Sequence, residues 1–473
     1  MPQTEAFSQR IDKALANHQA RQSLRATMDR LKLKRLQQFP NKHQLDDLRH
    51  QAKSIRQKAL DHLPELLEEL EEKLTQNGIQ VHWAETPEQA NSIIHGILSE
   101  ADAKTVVKGK SMVSEEIDMN AYLEQQGIDV IESDLGEFII QLAHEPPSHI
   151  IMPAIHKNAR DVAKLFHQHF PELAYTEDVD ELTLSARKIL RNKFASADAG
   201  ISGVNFAVAE TGTLCLVENE GNGRLSTTAP DLHIAITGIE KVIEKLEDLP
   251  PLLNILPKTA TGQPITTYVN MISGPRKDNE KDGPREVHLV LLDNNRSDIH
   301  SSDEFIDTLR CIRCGSCINH CPVYVQVGGH AYGSTYPGPI GTVLEPQRIG
   351  LKQMGELTSA CSLCGACAEA CPVQIPLPSL INQLRAESNN QQFGKSRTSG
   401  KGSLRKPSEA MIWKLWSLIH ARPWLYRLFR WAVTRLRFLA PSRLGGWTKY
   451  RTAPKPAPKT LHELAKAKGF DNE

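Results

Sequence analysis

The chain has no excess of either charge: 56 Lys and Arg balance 56 Asp and Glu. No global field therefore marks it as a nucleic-acid binder. Nowhere do eighteen apolar residues run together, which argues against a membrane-spanning helix. Met1 to Asn17 mixes Gln, Glu, Arg, Asp and Lys and has no apolar stretch of the kind that opens a signal peptide. The expectation is a cytosolic chain. Two nucleotide signatures are also missing. Gly109-Lys110-Ser111 has Lys104 where a phosphate loop needs its upstream glycine, and no G-x-G-x-x-G opens a helix. What remains is a globular composition, 40% hydrophobic and 24% charged over 473 residues, enough for two to four domains.

Nine cysteines stand out against that background, and eight of them form two copies of one pattern. Cys311-Ile-Arg-Cys314-Gly-Ser-Cys317-Ile-Asn-His-Cys321-Pro322 is followed by Cys361-Ser-Leu-Cys364-Gly-Ala-Cys367-Ala-Glu-Ala-Cys371-Pro372. In a reducing cytosol such groups are metal ligands before they are disulfides. Zinc ribbons also use C-x₂-C pairs, but they separate the pairs and do not close a four-Cys run with proline. The run resembles that of the bacterial ferredoxins, in which the fourth cysteine serves the other cluster. Carried over, one [4Fe–4S] cluster takes Cys311, Cys314, Cys317 and Cys371, and a second takes Cys361, Cys364, Cys367 and Cys321. Gly315 and Gly365 keep each loop free of side chains where backbone N–H groups approach sulfur. Pro322 and Pro372 end the turns. Cys215, alone in the apolar run Gly212 to Val217, is expected to be a core residue.

The two runs are separated by a Gly/Pro-rich stretch, Val327 to Gly341, and a helix-like Arg348 to Leu357. That separation resembles helical ferredoxin modules of the succinate dehydrogenase and heterodisulfide reductase kinds. His330, Tyr332 and Tyr336 are expected to shape a rigid loop that excludes water, with a docking surface as the other use.

Ahead of the cysteines, residues 1–66 read as a charged helical arm broken at Pro40-Asn41. From 67 onward strands and helices alternate, as in a parallel or mixed α/β sheet. Strand signals fall at Ile79–Trp83, Thr105–Lys108, Ile128–Ile131 and His149–Pro153. Helices are expected over Pro87–Leu98, with a Thr86 cap, Pro87 in the first turn and Gln89 completing a capping box, and over Lys157–Phe170. Three Gly- and hydroxyl-rich segments, 108–117, 197–213 and 219–233, are richer than packing needs and point to a ligand cleft at strand ends. Glu210 and Thr211 beside Gly212 are candidates to face it.

Beyond the cysteines the charge balance breaks. From Lys395 to Glu473 there are eighteen Lys and Arg against four Asp and Glu, and five of the six tryptophans lie between Trp413 and Trp447. Leu425, Leu428, Ala432, Leu436 and Leu439 share a helical face from which Arg427, Arg430 and Arg437 turn away. Such a helix suits an anionic membrane surface or an acidic protein surface.

With Asp134–Gln141, Ala209-Glu-Thr-Gly-Thr213 and Asp231-Leu-His-Ile234, the α/β segment resembles the LUD domain. Together with the twin cysteine runs and the basic Trp-rich tail, the chain resembles the lactate-utilization B family. That resemblance implies a LUD domain akin to CoA-transferase and sugar-phosphate isomerase folds, a helical two-cluster ferredoxin domain, and a helical tail. The corresponding bounds are 1–66, 67–300, 301–385, a flexible linker over 386–410, and 411–473. It also implies an electron-transfer subunit for oxidation of L-lactate to pyruvate, working with a cysteine-rich heterodisulfide-reductase-like protein and a second LUD protein. The electron acceptor is expected to be a quinone or similar carrier, and the chain is expected to be cytoplasmic, with peripheral contact at the membrane's inner face. Two other roles are carried as alternatives. In one, the LUD domain is itself the lactate-binding catalytic site, with Lys110, Glu210, Arg224 and His233 as candidates; in the other, the chain is a non-catalytic assembly or regulatory subunit.

Overall fold

The computed structural model describes residues 5–389, 407–439 and 455–470, with isolated positions between the last two stretches. They fall into two units, the first holding the described residues up to 389 and the second those from 407 onward.

The first unit opens with four helices: α1 (Phe7–Ala16), α2 (His18–Gln38), α3 (Lys42–Asp61) and α4 (Leu63–Gln76). The break at Pro40-Asn41 is a cap: Asn41 Oδ1 accepts from His43 N at 2.9 Å. A six-stranded sheet follows, made of β1 (Gln80–Ala84), β2 (Thr105–Lys108), β3 (Asp129–Glu132), β4 (Ala199–Gly203), β7 (Leu232–Gly238) and β10 (Glu286–Leu292). Its order is β1-β10-β7-β4-β2-β3, and every pairing is parallel. All residues of β4 and β7 are buried, as expected of central parallel strands covered on both faces. A second, mixed sheet of order β8-β5-β6-β9 comprises β5 (Phe206–Val208), β6 (Thr213–Glu218), β8 (Val242–Ile243) and β9 (Tyr268–Ile272).

Gly200 on β4 allows one close approach. A Cβ there would lie 1.7 Å from the Ser226 carbonyl oxygen, so the helix Asn222–Thr228 rests directly on the strand.

Two expectations need correction. His149–Pro153 forms no strand: His149 Nδ1 accepts from the N–H groups of Ile151 (3.0 Å) and Met152 (3.2 Å), which curls the segment into a loop. At the helix Pro87–Glu100, Thr86 caps Gln89 N, but the Gln89 side chain accepts from Glu85 N at 2.8 Å and not from Thr86 N, so the box is incomplete.

The helical arm shares a core with the rest of the unit. Met28, Leu60, Leu70 and Leu74 are fully buried in one cluster with Leu214 and Cys215 of the small sheet and Ile318, Tyr324 and Leu344 of the cysteine module. Polar bonds tie the arm to the same module: Arg10 Nε donates to Ala331 O (3.0 Å), Arg21 to Gln326 Oε1 (2.6 Å) and Arg49 Nε to Cys371 O (3.0 Å). The Gly/Pro-rich stretch ends in a buried helix, Gly338–Arg348, because Pro339 suits its first turn. The segment read as a linker begins inside the helix Leu377–Asn389, and 390–406 lie outside the described residues.

In the second unit, Pro407–Ala421 and Pro423–Arg435 are separate helices, broken where Pro423 starts the second. Trp413, Trp416, Trp424 and Trp431 are all at least half exposed, and Trp447 lies outside the described residues. A last helix, Leu461–Ala467, joins the second through an Arg435–Glu463 ion pair at 3.6 Å.

Candidate iron–sulfur and ligand site

Both cysteine runs wind in the same way. Arg313 and Leu363 take left-handed backbone (φ +58° and +55°), and Gly315 and Gly365 do so two residues later (φ +73° and +86°). The winding turns N–H groups toward sulfur: Arg313 N lies 3.4 Å from Cys311 Sγ, and Leu363 N lies 3.3 Å from Cys361 Sγ. The distant cysteine of each run is approached in the same manner, by Tyr324 N at Cys321 (3.5 Å) and Ile375 N at Cys371 (3.3 Å). The short helices Ser316–Asn319 and Ala366–Ala370 pack together. As a result, each run's fourth cysteine faces the other run's first three.

Cys311, Cys314, Cys317 and Cys371 line one cavity, and Cys321, Cys361, Cys364 and Cys367 line another; their empty volumes are about 340 and 410 Å³, mouths included. No two of these cysteines form a disulfide. Burial and then the neighbouring sulfurs push the Cys314, Cys317, Cys321 and Cys367 thiols up, Cys367 to about 12. Four sulfurs gathered at each cavity, with backbone N–H groups aimed at them, are a donor set that fits a thiolate-ligated iron cluster. Cys215 is fully buried on β6, away from both cavities, and burial pushes its thiol up to about 12.

The two cavities differ in their surroundings. Around the first, Lys241 Nζ donates to Cys311 O (3.3 Å), Arg56 to Leu309 O (3.2 Å) and Arg49 to Ala368 O (3.1 Å). Around the second, Cys364 is exposed and Leu363 is 39% exposed. Tyr332 is buried against the second cavity, whereas His330 is partly exposed.

Behind the first cavity lies a buried charge network. Arg296, with no exposed surface, donates to Glu116 and to Glu240, both at 2.6 Å. Glu240 also accepts from Arg313 at 3.2 Å, and the Arg313 guanidinium sits 4.5 Å over the Tyr336 ring. Tyr336 in turn donates to Glu116. Burial alone would raise the Glu116 carboxyl, but Arg296 and Arg348 hold it at about 2.

A cavity of about 1470 Å³, mouth included, opens beyond the carboxyl ends of β2 and β4, the usual ligand position in such sheets. Gly109 to Val113, Gly203 to Asn205, Glu218 to Glu220, and Asn222 with Gly223 line it, so parts of the three glycine-rich segments meet there. Lys110, Lys241, Arg313 and Tyr336 also line it, and Ile150 and Ile312 face both this cavity and the first cysteine cavity. Of the four ligand candidates, only Lys110 is present. Glu210 is exposed and accepts from Leu246 N (3.0 Å), Arg224 is exposed, and His233 is buried in the sheet beside Ser202 (2.8 Å). Burial and His288 push His233 down to about 4. Lys241 and Arg313 were missed because nothing local distinguishes them; Arg313's place inside a cysteine run was the one available clue.

Comparison with known proteins agrees with this architecture. The LUD domain family model matches residues 67–292, a 4Fe-4S dicluster domain matches 307–375, and the C-terminal region of lactate utilisation protein B matches 383–470. Lactate utilization protein B of Bacillus velezensis is 42% identical over 96% of this chain and 95% of its own length. This chain belongs to the lactate utilization protein B family. The Bacillus subtilis member is 40% identical over 96% of this chain and 94% of its own length. A protein described as an uncharacterized electron transport protein in Escherichia coli (strain K12) is 43% identical over 79% and 78%. The chain is an iron–sulfur protein with an α/β LUD domain, and no helix among the described residues is long and apolar enough to cross a membrane.

Proposed function

We propose that this chain is the iron–sulfur electron-transfer subunit of a complex that oxidises L-lactate to pyruvate. In this reading it holds two [4Fe–4S] clusters, one on Cys311, Cys314, Cys317 and Cys371 and the other on Cys321, Cys361, Cys364 and Cys367. Clusters of this type exchange single electrons at potentials set by hydrogen bonds, nearby charge and burial. The residues around them supply those settings: backbone N–H groups at Cys311 and Cys361, a cationic shell at the first site, and an exposed rim at the second. The observation that carries the reading is positional. The first cysteine site shares Ile150 and Ile312 with a ligand-sized cavity, and the second reaches the surface at Cys364.

The partners in this reading are a cysteine-rich heterodisulfide-reductase-like protein and a second LUD protein, with a quinone or similar acceptor. The exposed tryptophans and the arginines of the second unit support peripheral attachment to an anionic membrane face. Cys364→Ser is expected to abolish one cluster's EPR signal together with lactate-dependent electron flow; full activity without that signal refutes the assignment. Removal of residues 405–473 is expected to release the protein from the membrane fraction.

The shared wall also favours a second reading, in which the LUD cavity itself receives lactate. Anaerobic addition of lactate to the isolated chain separates the two: reduction of its own clusters supports the second reading, and no reduction without partners supports the first.

A further inference from the structure

Away from the cysteines, Glu145, His156 and His330 bring one potential ligand atom each to within 4.8 Å of one another. Glu145 and His156 come from the loop after the helix Leu135–Leu142, and His330 comes from the loop between the cysteine runs. We propose that these three side chains form a divalent-cation site of the zinc class, which clasps the LUD loop to the cysteine module.

Three observations carry this. His330 Nε2 lies 2.8 Å from the Pro146 carbonyl, so it holds the proton and leaves Nδ1 with a free lone pair. A backbone carbonyl fixing the far nitrogen in this way is the usual support of a metal-binding histidine. His156 Nδ1 is buried and has no partner, while its Nε2 lies 2.6 Å from Glu145 Oε2. The two imidazole rings meet edge to face with centroids 4.5 Å apart, and two histidines with one carboxylate are a zinc-type donor set. Lys157 pairs with Glu145 and is the cation already at the site. An incoming ion must displace its ammonium, whose flexible stem allows it to withdraw to solvent.

The same loop already touches the module. Tyr324 OH donates to Ser148 O at 2.8 Å, and Gly329 N to Ser148 Oγ at 3.4 Å. A metal here would therefore fasten a contact that begins three residues after Cys321.

The test uses the full, cluster-loaded chain, stripped with a chelator, dialysed anaerobically against Zn²⁺ and analysed for zinc and iron. Wild type is expected to hold one zinc beyond its iron, and His156→Ala, His330→Ala and Glu145→Gln to lose that zinc with iron unchanged. Lys157→Ala is expected to keep it and bind it more tightly, because the competing ammonium is gone. Zinc X-ray absorption is expected to show only nitrogen and oxygen at about 2.0–2.1 Å, with imidazole scattering. Zinc content equal in wild type and the His156→Ala/His330→Ala double variant overturns the proposal. So does sulfur at about 2.3 Å in the first shell, which places the ion on cysteines. If the alanine variants lose iron through misfolding, Glu145→Gln and Lys157→Ala decide.

Discussion

Arg296 joins the LUD sheet to the first cysteine run, and replacing it with methionine is expected to destabilise the chain by about 3 kcal/mol. Two routes give that size. Removing one member of a buried ion pair costs about 3–5 kcal/mol. The lower end applies because Arg348 remains near Glu116 and Arg313 still pairs with Glu240. Holding Glu116 at about 2 against an ordinary 4.5 is linked to about 3 kcal/mol of stability near neutral pH, an upper bound on the share of Arg296, since Arg348 and Arg313 also lower the carboxyl. The sign follows from the depression. In the wild type this contribution is present above pH 4.5 and is lost as pH falls toward 2. In Arg296→Met burial dominates, the folded-state carboxyl binds its proton more readily than the unfolded one, and acid relieves the strain. The deficit should therefore be greatest at pH 7 and narrow by pH 5. Urea titrations of the cluster-loaded chain, followed by far-UV circular dichroism at both pH values, measure it. A deficit below about 1 kcal/mol at pH 7, or one that does not change with pH, would refute the network's role.

Three further substitutions test separate parts of the structure. Cys215→Ser places a hydroxyl in a fully apolar site, and is expected to cost about 1–3 kcal/mol with iron content unchanged; lost iron would make Cys215 a ligand. Ile312→Ala opens the wall between the ligand cavity and the first cysteine cavity. It is expected to cost about 2–5 kcal/mol and to speed iron removal by a chelator, whereas an unchanged removal rate would mean that this wall does not shield the site. Gly329→Ala would set a Cβ 1.8 Å from Ser148 O. A clear fall in melting temperature is expected, and wild-type stability would show that the contact between loop and module is loose.

The gathering of eight cysteines, four to a cavity, was legible because such groups write themselves into short spacings, four positions within eleven residues. The alternation of strands and helices was legible for a similar local reason, since buried parallel strands are near-continuous apolar runs. The Glu116–Arg296–Glu240–Arg313 network was not: its members are spread over almost two hundred positions, and each alone looks like a surface residue. Glu210, Arg224 and His233 drew attention through glycine-rich neighbours, yet tertiary packing sends two to the surface and one into the sheet. His149–Pro153 has strand-forming side chains, but a single imidazole captures two of its N–H groups and curls it. The tail's apolar face was visible, but its helix ends at Arg435, which leaves Leu436 at the cap and Leu439 in the following turn.

The bonds from α1 and α2 to the cysteine module, Arg10 to Ala331 and Arg21 to Gln326, bridge more than three hundred residues of chain. During synthesis the first helices leave the ribosome well before the surface they are built to cover. At about 5–20 residues per second that interval is roughly 15–60 s. For that time Leu24, which lies beside Gly328 in the finished molecule, lacks the surface that buries it. The nascent arm is thus a natural client for a holding chaperone, and its final docking must follow the emergence of the first cysteine run.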